Sequence, residues 1–262
     1  MKRLICTLAV LISLSAITLS AVEVIIEKKE GAPIKAEYIS SDANGDISYK
    51  QEKFTIKIKA NDYKYARVAK TPDDILAADK KFTDQKYQDA LVDYKKLYNT
   101  YKHVGFDVYC IYREGACLDK LGNKEEALAR LKILDTYQNV DPKKQSELFD
   151  AKKLQATILI DLNKFDDASK VLSEIGNSDD ENLAAFSFNT RGDILVKQGK
   201  KKEALLKYMI PALIFNTQNT ERPRALCQVA NIHKELNDNR SVKFSDMLKK
   251  DYPESPFIKE LK

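Results

Sequence analysis

The chain has 262 residues, 32% of them charged, with only 8 Gly and 7 Pro. So few backbone breakers exclude long disordered stretches and point to a largely helical protein. The net charge is +5, or +3 without Lys2 and Arg3, too balanced for a nucleic-acid-binding face.

The first stretch, MKRLICTLAVLISLSAITLSAVEV, has the order of a secretory leader: Lys2 and Arg3, then an apolar run over residues 4–19. Residues 1–21 are therefore expected to be a signal peptide, cut after Ser20 or after Ala21. The alternative is an uncleaved N-terminal anchor, for which the run is barely long enough. Cys6 stands at the front of the apolar run, not behind it, unlike a lipoprotein cysteine.

Residues 22–70 predict a small β domain. VEVIIE (22–27), IKAEYIS (34–40), DISYK (46–50), FTIKIKA (54–60) and YKYARVA (63–69) are short, partly alternating and rich in β-branched or aromatic residues. Glu30-Gly31, Asn44-Gly45 and Asn61-Asp62 read as the turns between them. Two arrangements fit, an SH3-like or Sm-like barrel and a twisted β-meander. Thr71-Pro72 marks the boundary, because proline disfavours helix before it and suits a helix start.

From residue 73 to 262 the period is helical. Ala90, Ala127, Ala168 and Ala204 occupy one equivalent position, separated by 37, 41 and 36 residues. Twelve residues before each stands another small residue: Ala78, Gly115, Ala156 and Gly192. Two small positions at a fixed offset define a repeated helix–turn–helix unit. A fifth, degenerate copy places Ala230 at the first position and Val242 at the second. Pro211 falls inside a predicted helix and is expected to kink or split it, enlarging the turn of the fourth unit.

This pattern resembles the tetratricopeptide repeat (TPR) family. There, a small residue lets the second helix approach the first, and the second helix opens with an aromatic residue followed by an alanine. Tyr87 and Phe165 match the aromatic; Lys124 and Lys201 depart from it. Tyr94, Leu131, Leu172 and Tyr208, four residues after each alanine, fill the packing position. The resemblance implies a mainly α fold, a right-handed TPR-like solenoid of about five helix pairs following the β domain. Stacking is required because a single pair has too little apolar face to be stable alone.

The resemblance also implies a concave groove lined by the first helices. Its positions carry over to Tyr109, Tyr112, Asp150, Lys153, Phe186, Asn189, Lys197, Arg224, Asn231 and Lys234. Tyr109, Tyr112 and Phe186 serve equally well as packing between repeats. Taken as a groove, the set suits a peptide with apolar and acidic features.

Catalytic chemistry is not expected. His103 and His233 lack neighbours at ligand spacing, and no phosphate-binding loop or nucleophile turn is present, so neither a metal nor a cofactor is expected. The pairs Asp166-Asp167 and Glu125-Glu126 sit where a helix start favours negative charge, and Asp179-Asp180-Glu181 does the same. Lys197, Lys200, Lys201, Lys202 and Lys207 form the most basic patch, read as a solvated turn or a contact for anionic headgroups or an acidic partner. Beyond residue 21 the cysteines are Cys110, Cys117 and Cys227. The first two are about 10 Å apart along one helix, too far to bridge, so all three are expected to be small buried hydrophobes, with a pairing of Cys227 with either of the others as the alternative.

The expected function is a non-catalytic scaffold, exported to the periplasm or envelope, that binds a protein or peptide partner in the groove. Nucleic acid is not an expected partner, peripheral association with the envelope is compatible with the leader, and the oligomeric state stays open. Two other readings stand beside it. The β domain is a ligand- or glycan-binding or enzyme-accessory module with pockets from Tyr38, Tyr49, Tyr63 and Tyr65, or the protein self-associates.

Overall fold

The computed structural model describes residues 21–136, 142–177 and 180–262. The proposed leader lies outside them apart from Ala21, and so does Asp179. The chain divides between Asp73 and Asp74 into two compact units.

The first unit is a five-stranded antiparallel sheet: β1 (Glu23–Lys28), β2 (Ile34–Ser41), β3 (Ile47–Gln51), β4 (Phe54–Ile58) and β5 (Tyr63–Val68), in the order β4-β3-β2-β1-β5. Alternation places Val24, Ile26, Ala36, Tyr38, Ile47, Tyr49, Ile58 and Ala66 on the buried side. Asn44-Gly45 lies in a loop, residues 42–46, rather than a two-residue hairpin. The Asp42 carboxylate accepts from the amides of Asn44 and Asp46 at 3.0 and 3.1 Å, and Gly45 takes φ +87°. Asn61-Asp62 does not close a hairpin. It belongs to a 3-10 turn, Ala60–Asp62, after which β5 pairs with β1, Val68 opposite Val24 and Ala66 opposite Ile26. That return to β1 breaks the sequential order of a simple meander and leaves β4 and β5 as the two edges of the sheet. The loop's Asp46 carboxylate accepts from Lys59 Nζ at 2.8 Å and from the Ala60 amide at 3.0 Å, tying the 3-10 turn to the sheet.

The second unit is a TPR-like solenoid. Its first helices are α1 (Asp73–Thr83), α3 (Asp107–Lys120), α5 (Pro142–Asp161), α7 (Glu181–Lys197) and α9 (Arg222–Glu235). Each is followed by its partner: α2 (Tyr87–Tyr101), α4 (Lys124–Leu131), α6 (Phe165–Gly176), α8 (Lys201–Leu213) and α10 (Arg240–Asp251). The five turns within pairs share one geometry. Gln85, Gly122, Asn163, Gly199 and Asn237 all have φ between +55° and +84°. The amide after each returns to the carbonyl five residues back, as Lys86→Lys81, Asn123→Leu118, Lys164→Leu159, Lys200→Leu195 and Asp238→His233, at 2.8–2.9 Å. The helix thus ends with its last carbonyls satisfied and the chain reversed.

Seven residues before each left-handed position stands the small residue of the first helix. It is required by contact: a Cβ on Gly115 would sit 2.7 Å from Leu131, and one on Gly192 would sit 2.6 Å from the Tyr208 ring. Ala78, Ala90, Ala127, Ala156, Ala168 and Ala204 are all fully buried at the crossings. The fifth unit departs from the expected register. Val242 is 60% exposed, and Phe244 is buried instead, stacked on His233 with ring centroids 5.6 Å apart. The difference goes with the turn: α10 begins three residues after its left-handed Asn237, whereas the other second helices begin two residues after theirs, and its buried position falls seven residues after the left-handed residue instead of five. Pro211 does not split its helix; it is buried in the last turn of α8, and residues 214–221 form the loop to α9.

Two joints between successive repeats are polar. The residue after the small position is Asp79 in the first repeat and Asp193 in the fourth. Asp79 Oδ1 accepts from Tyr94 and Tyr109 hydroxyls, both at 2.5 Å, and from Arg113 at 3.2 Å. Asp193 accepts from the Tyr208 hydroxyl at 2.7 Å and pairs with Arg224. In each case the second helix supplies a tyrosine and the next first helix supplies an arginine.

Candidate functional site

Three consecutive first helices, α5, α7 and α9, present their faces to a cleft of about 430 Å³. Ile160, Phe186, Val196 and the Tyr208 ring form its apolar walls. Thr157, Thr190 and Gln228 supply neutral polar groups, and Asp161, Asp193, Lys197 and Arg224 the charged ones. Helical spacing explains the grouping. Ile160 follows Ala156 by one turn, and Val196 follows Gly192 likewise, so both lie on the same side of neighbouring helices.

Of the expected groove residues, Phe186, Lys197 and Arg224 line this cleft. Lys153 stands beside it, its Nζ 5.7 Å from the Phe186 ring centre and 3.2 Å from Asp150 Oδ1. Tyr112 is half-buried; burial raises its phenol above the usual value, and the nearby Asp150 charge adds to this. Asn189 is fully buried and donates to the Glu221 carbonyl and carboxylate at 2.9 and 3.0 Å, so it braces the start of α9.

Three expected groove residues are committed elsewhere. Tyr109 turns into the polar joint of Asp79, where burial and that hydrogen bond raise its phenol. Asn231 and Lys234 hold the segment after α10. The Asn231 amide donates to the Glu260 carbonyl at 2.9 Å and accepts from the Lys262 amide at 2.9 Å, while Lys234 donates to the Lys262 carbonyl. That segment, beginning with the 3-10 turn Pro256–Glu260, lays Phe257, Ile258 and Leu261 against the last hydrophobic cluster. It covers the face on which a further first helix would stack.

The cleft's charges are internally paired. Arg224 bonds Asp193 and lies 3.5 Å from Glu221; Asp161 bonds Lys124 and lies 4.0 Å from Lys197. Burial raises the Asp193 carboxyl above the ordinary carboxylate value, opposed in part by Arg224 and by the Tyr208 hydroxyl. Sequence reasoning missed the other eight: Thr157, Ile160, Asp161, Thr190, Asp193, Val196, Tyr208 and Gln228. A signal existed for two of them: Thr157 and Asp193 directly follow the small residue of their helices. Tyr208 was legible only as packing, because its hydroxyl partner is set by the crossing.

The remaining candidates resolve simply. Cys110, Cys117 and Cys227 are free and buried, so the pairing left open for Cys227 is not made; burial pushes its thiol up to about 11. In the β unit, Tyr38 and Tyr49 are core residues and Tyr63 donates to the Gly45 carbonyl at 2.6 Å. Only Tyr65, 45% exposed, faces outward, so the four do not form an aromatic pocket. In the basic patch Lys201 pairs with Glu235 at 2.8 Å, while Lys200, Lys202 and Lys207 have no ion pair among the described residues. Among the described residues no helix is long and apolar enough to cross a membrane.

No protein-family model and no curated protein matches the chain. Solved structures do share its fold. RapI in its apo form superposes with a TM-score of 0.56 at 13% identity, over 70% of this chain and 54% of RapI, so the likeness spans about half of that protein. MamA superposes with a TM-score of 0.50 at 16% identity, over 67% of this chain and 94% of MamA. YrrB, described as a TPR protein with an unusual peptide-binding site, aligns with a TM-score of 0.45 at 16% identity, over 71% of this chain and 89% of its own. With the RapI and MamA superpositions, the five matched turns and the four matched crossings make the fold that of a TPR-like α-solenoid.

Proposed function

We propose that the protein is a non-catalytic scaffold that holds a protein or peptide segment across the faces of α5, α7 and α9. The observation that carries this is the cleft itself: three successive first helices converge on one apolar-floored opening, and the turns that hold them share one geometry. A preformed surface of this kind spares a partner most of the ordering cost on the receptor side. Export to the periplasm or envelope is part of the proposal and rests on the leader read in residues 1–21. N-terminal sequencing of the mature protein tests it, with a start at Ala21 or Val22 expected.

Placing a photo-crosslinking residue at Thr157 or Gln228 in cells tests the groove. Capture of one discrete partner at both positions, and not at Lys170 on the outer helix α6, is the expected result. Crosslinking from Lys170 alone would move the binding surface elsewhere. Self-association is separated by light scattering: a discrete dimer whose crosslinks run from Thr157 to a second copy would replace partner binding.

A further inference from the structure

We infer that the cleft between α5, α7 and α9 takes one large uncharged apolar side chain of an extended partner segment, together with that residue's own peptide groups, and is not a carboxylate-binding site. This rests on the groove reading above and names the chemistry of what enters it.

Every ionic group around the opening already has a partner. Arg224 is divided between Asp193 and Glu221, and Asp193 also receives the Tyr208 hydroxyl. Asp161 binds Lys124 and lies near Lys197, and Lys153 leans on Asp150 and the Phe186 ring. An incoming carboxylate that claimed Arg224 would leave Asp193 half-buried without its cation, a poor exchange. The groups without partners are of a different kind. The Thr190 hydroxyl has no hydrogen-bond partner although the residue is only 4% exposed, and the half-buried Gln228 amide makes no hydrogen bond among the described residues. One amide that both donates and accepts, beside an apolar floor of Ile160, Phe186 and Val196, matches a peptide group flanking an apolar side chain.

The test uses the full mature chain and a phage-displayed library of random dodecapeptides, followed by a synthetic peptide of the selected consensus. The selected sequences are expected to share an aromatic or large aliphatic residue. Replacing that residue by Asp should remove binding, and affinity should change little between about 0.05 and 0.5 M salt. Thr157→Trp, which blocks the mouth from an exposed position, should weaken binding about tenfold or more. Gln228→Trp does the same from the opposite wall, and circular dichroism identifies the variant that folds. Lys170→Gln, on the exposed face of α6, should leave affinity within about twofold. A consensus with Asp or Glu at its centre, bound in a salt-sensitive way, would overturn the inference and leave the groove reading intact. Peptides that bind the folded Trp variants as tightly as the parent would overturn both. An empty selection also overturns the inference, while the in-cell crosslinks decide the groove reading separately.

Discussion

Gln85, Asn163 and Asn237 do at three turns what Gly122 and Gly199 do at the other two: each holds the left-handed conformation that ends a first helix. For a non-glycine residue that conformation costs about 1–2 kcal/mol, less for Asn than for Gln. Gln85→Gly is therefore expected to raise stability by about 0.5–1 kcal/mol, the relieved strain exceeding glycine's entropy loss. Gly199→Ala, at φ +75° with open space around it, should lower stability by about 1 kcal/mol. Denaturant unfolding of both variants checks the pair, and equal midpoints would remove the strain argument. In the β unit the informative residue is Asp46. Hydrogen bonds from Lys59 and the Ala60 amide lower its carboxyl from 3.8 to about 2. A depressed carboxylate stabilises the fold above its ordinary value, and the contribution is lost as pH falls through the folded value. Asp46→Asn should thus melt lower than the parent at neutral pH, and the gap should close between pH 3.8 and about 2. A gap that persists below that window would assign the effect to packing instead.

Helix pairs are held at the crossing. Gly192→Ala and Gly115→Ala would drive a methyl into Tyr208 and Leu131, and each is expected to cost about 1–3 kcal/mol by chemical denaturation. Arg224→Gln breaks the polar joint of the fourth and fifth repeats and leaves Asp193 with Tyr208 alone. A loss of about 1–3 kcal/mol follows. That variant is thus unsuitable as a pure groove mutation. The repeat itself was legible at this scale. Ala90, Ala127, Ala168 and Ala204 recur because close helix approach tolerates little else, and a constraint on volume leaves a mark in sequence. The fifth unit was misread for a physical reason. Spacing from Ala230 counts residues through the turn, but the face a helix presents depends on where it restarts. In the fifth unit α10 restarts later, at Arg240, and Phe244 is buried where the count from Ala230 gave Val242.

Across the helical unit, the proposed groove is confined to α5, α7 and α9. Asn231 and Lys234 bind the main chain of residues 260–262, so in α9 the proposed groove keeps only the earlier turns, around Arg224 and Gln228. Loss of that clasp is testable. Asn231→Ala should release the 256–262 segment, seen as faster amide exchange there, and expose Phe257 and Ile258. Unchanged exchange would show that the apolar contacts alone hold the segment.

Residue order alone determined the two periods of the chain, the five strands, the helix pairs and the small residues at their joints. Each depends on local spacing or on volume at a contact that recurs. The tertiary structure decided which groove residues are free. Tyr109, Asn189, Asn231 and Lys234 were expected in the groove, yet the Tyr109 hydroxyl, the amide nitrogens of Asn189 and Asn231 and the Lys234 ammonium are held by Asp79, Glu221 and residues 260–262, brought in from distant positions. A periodic pattern tells which way a side chain points; only packing tells what it meets there.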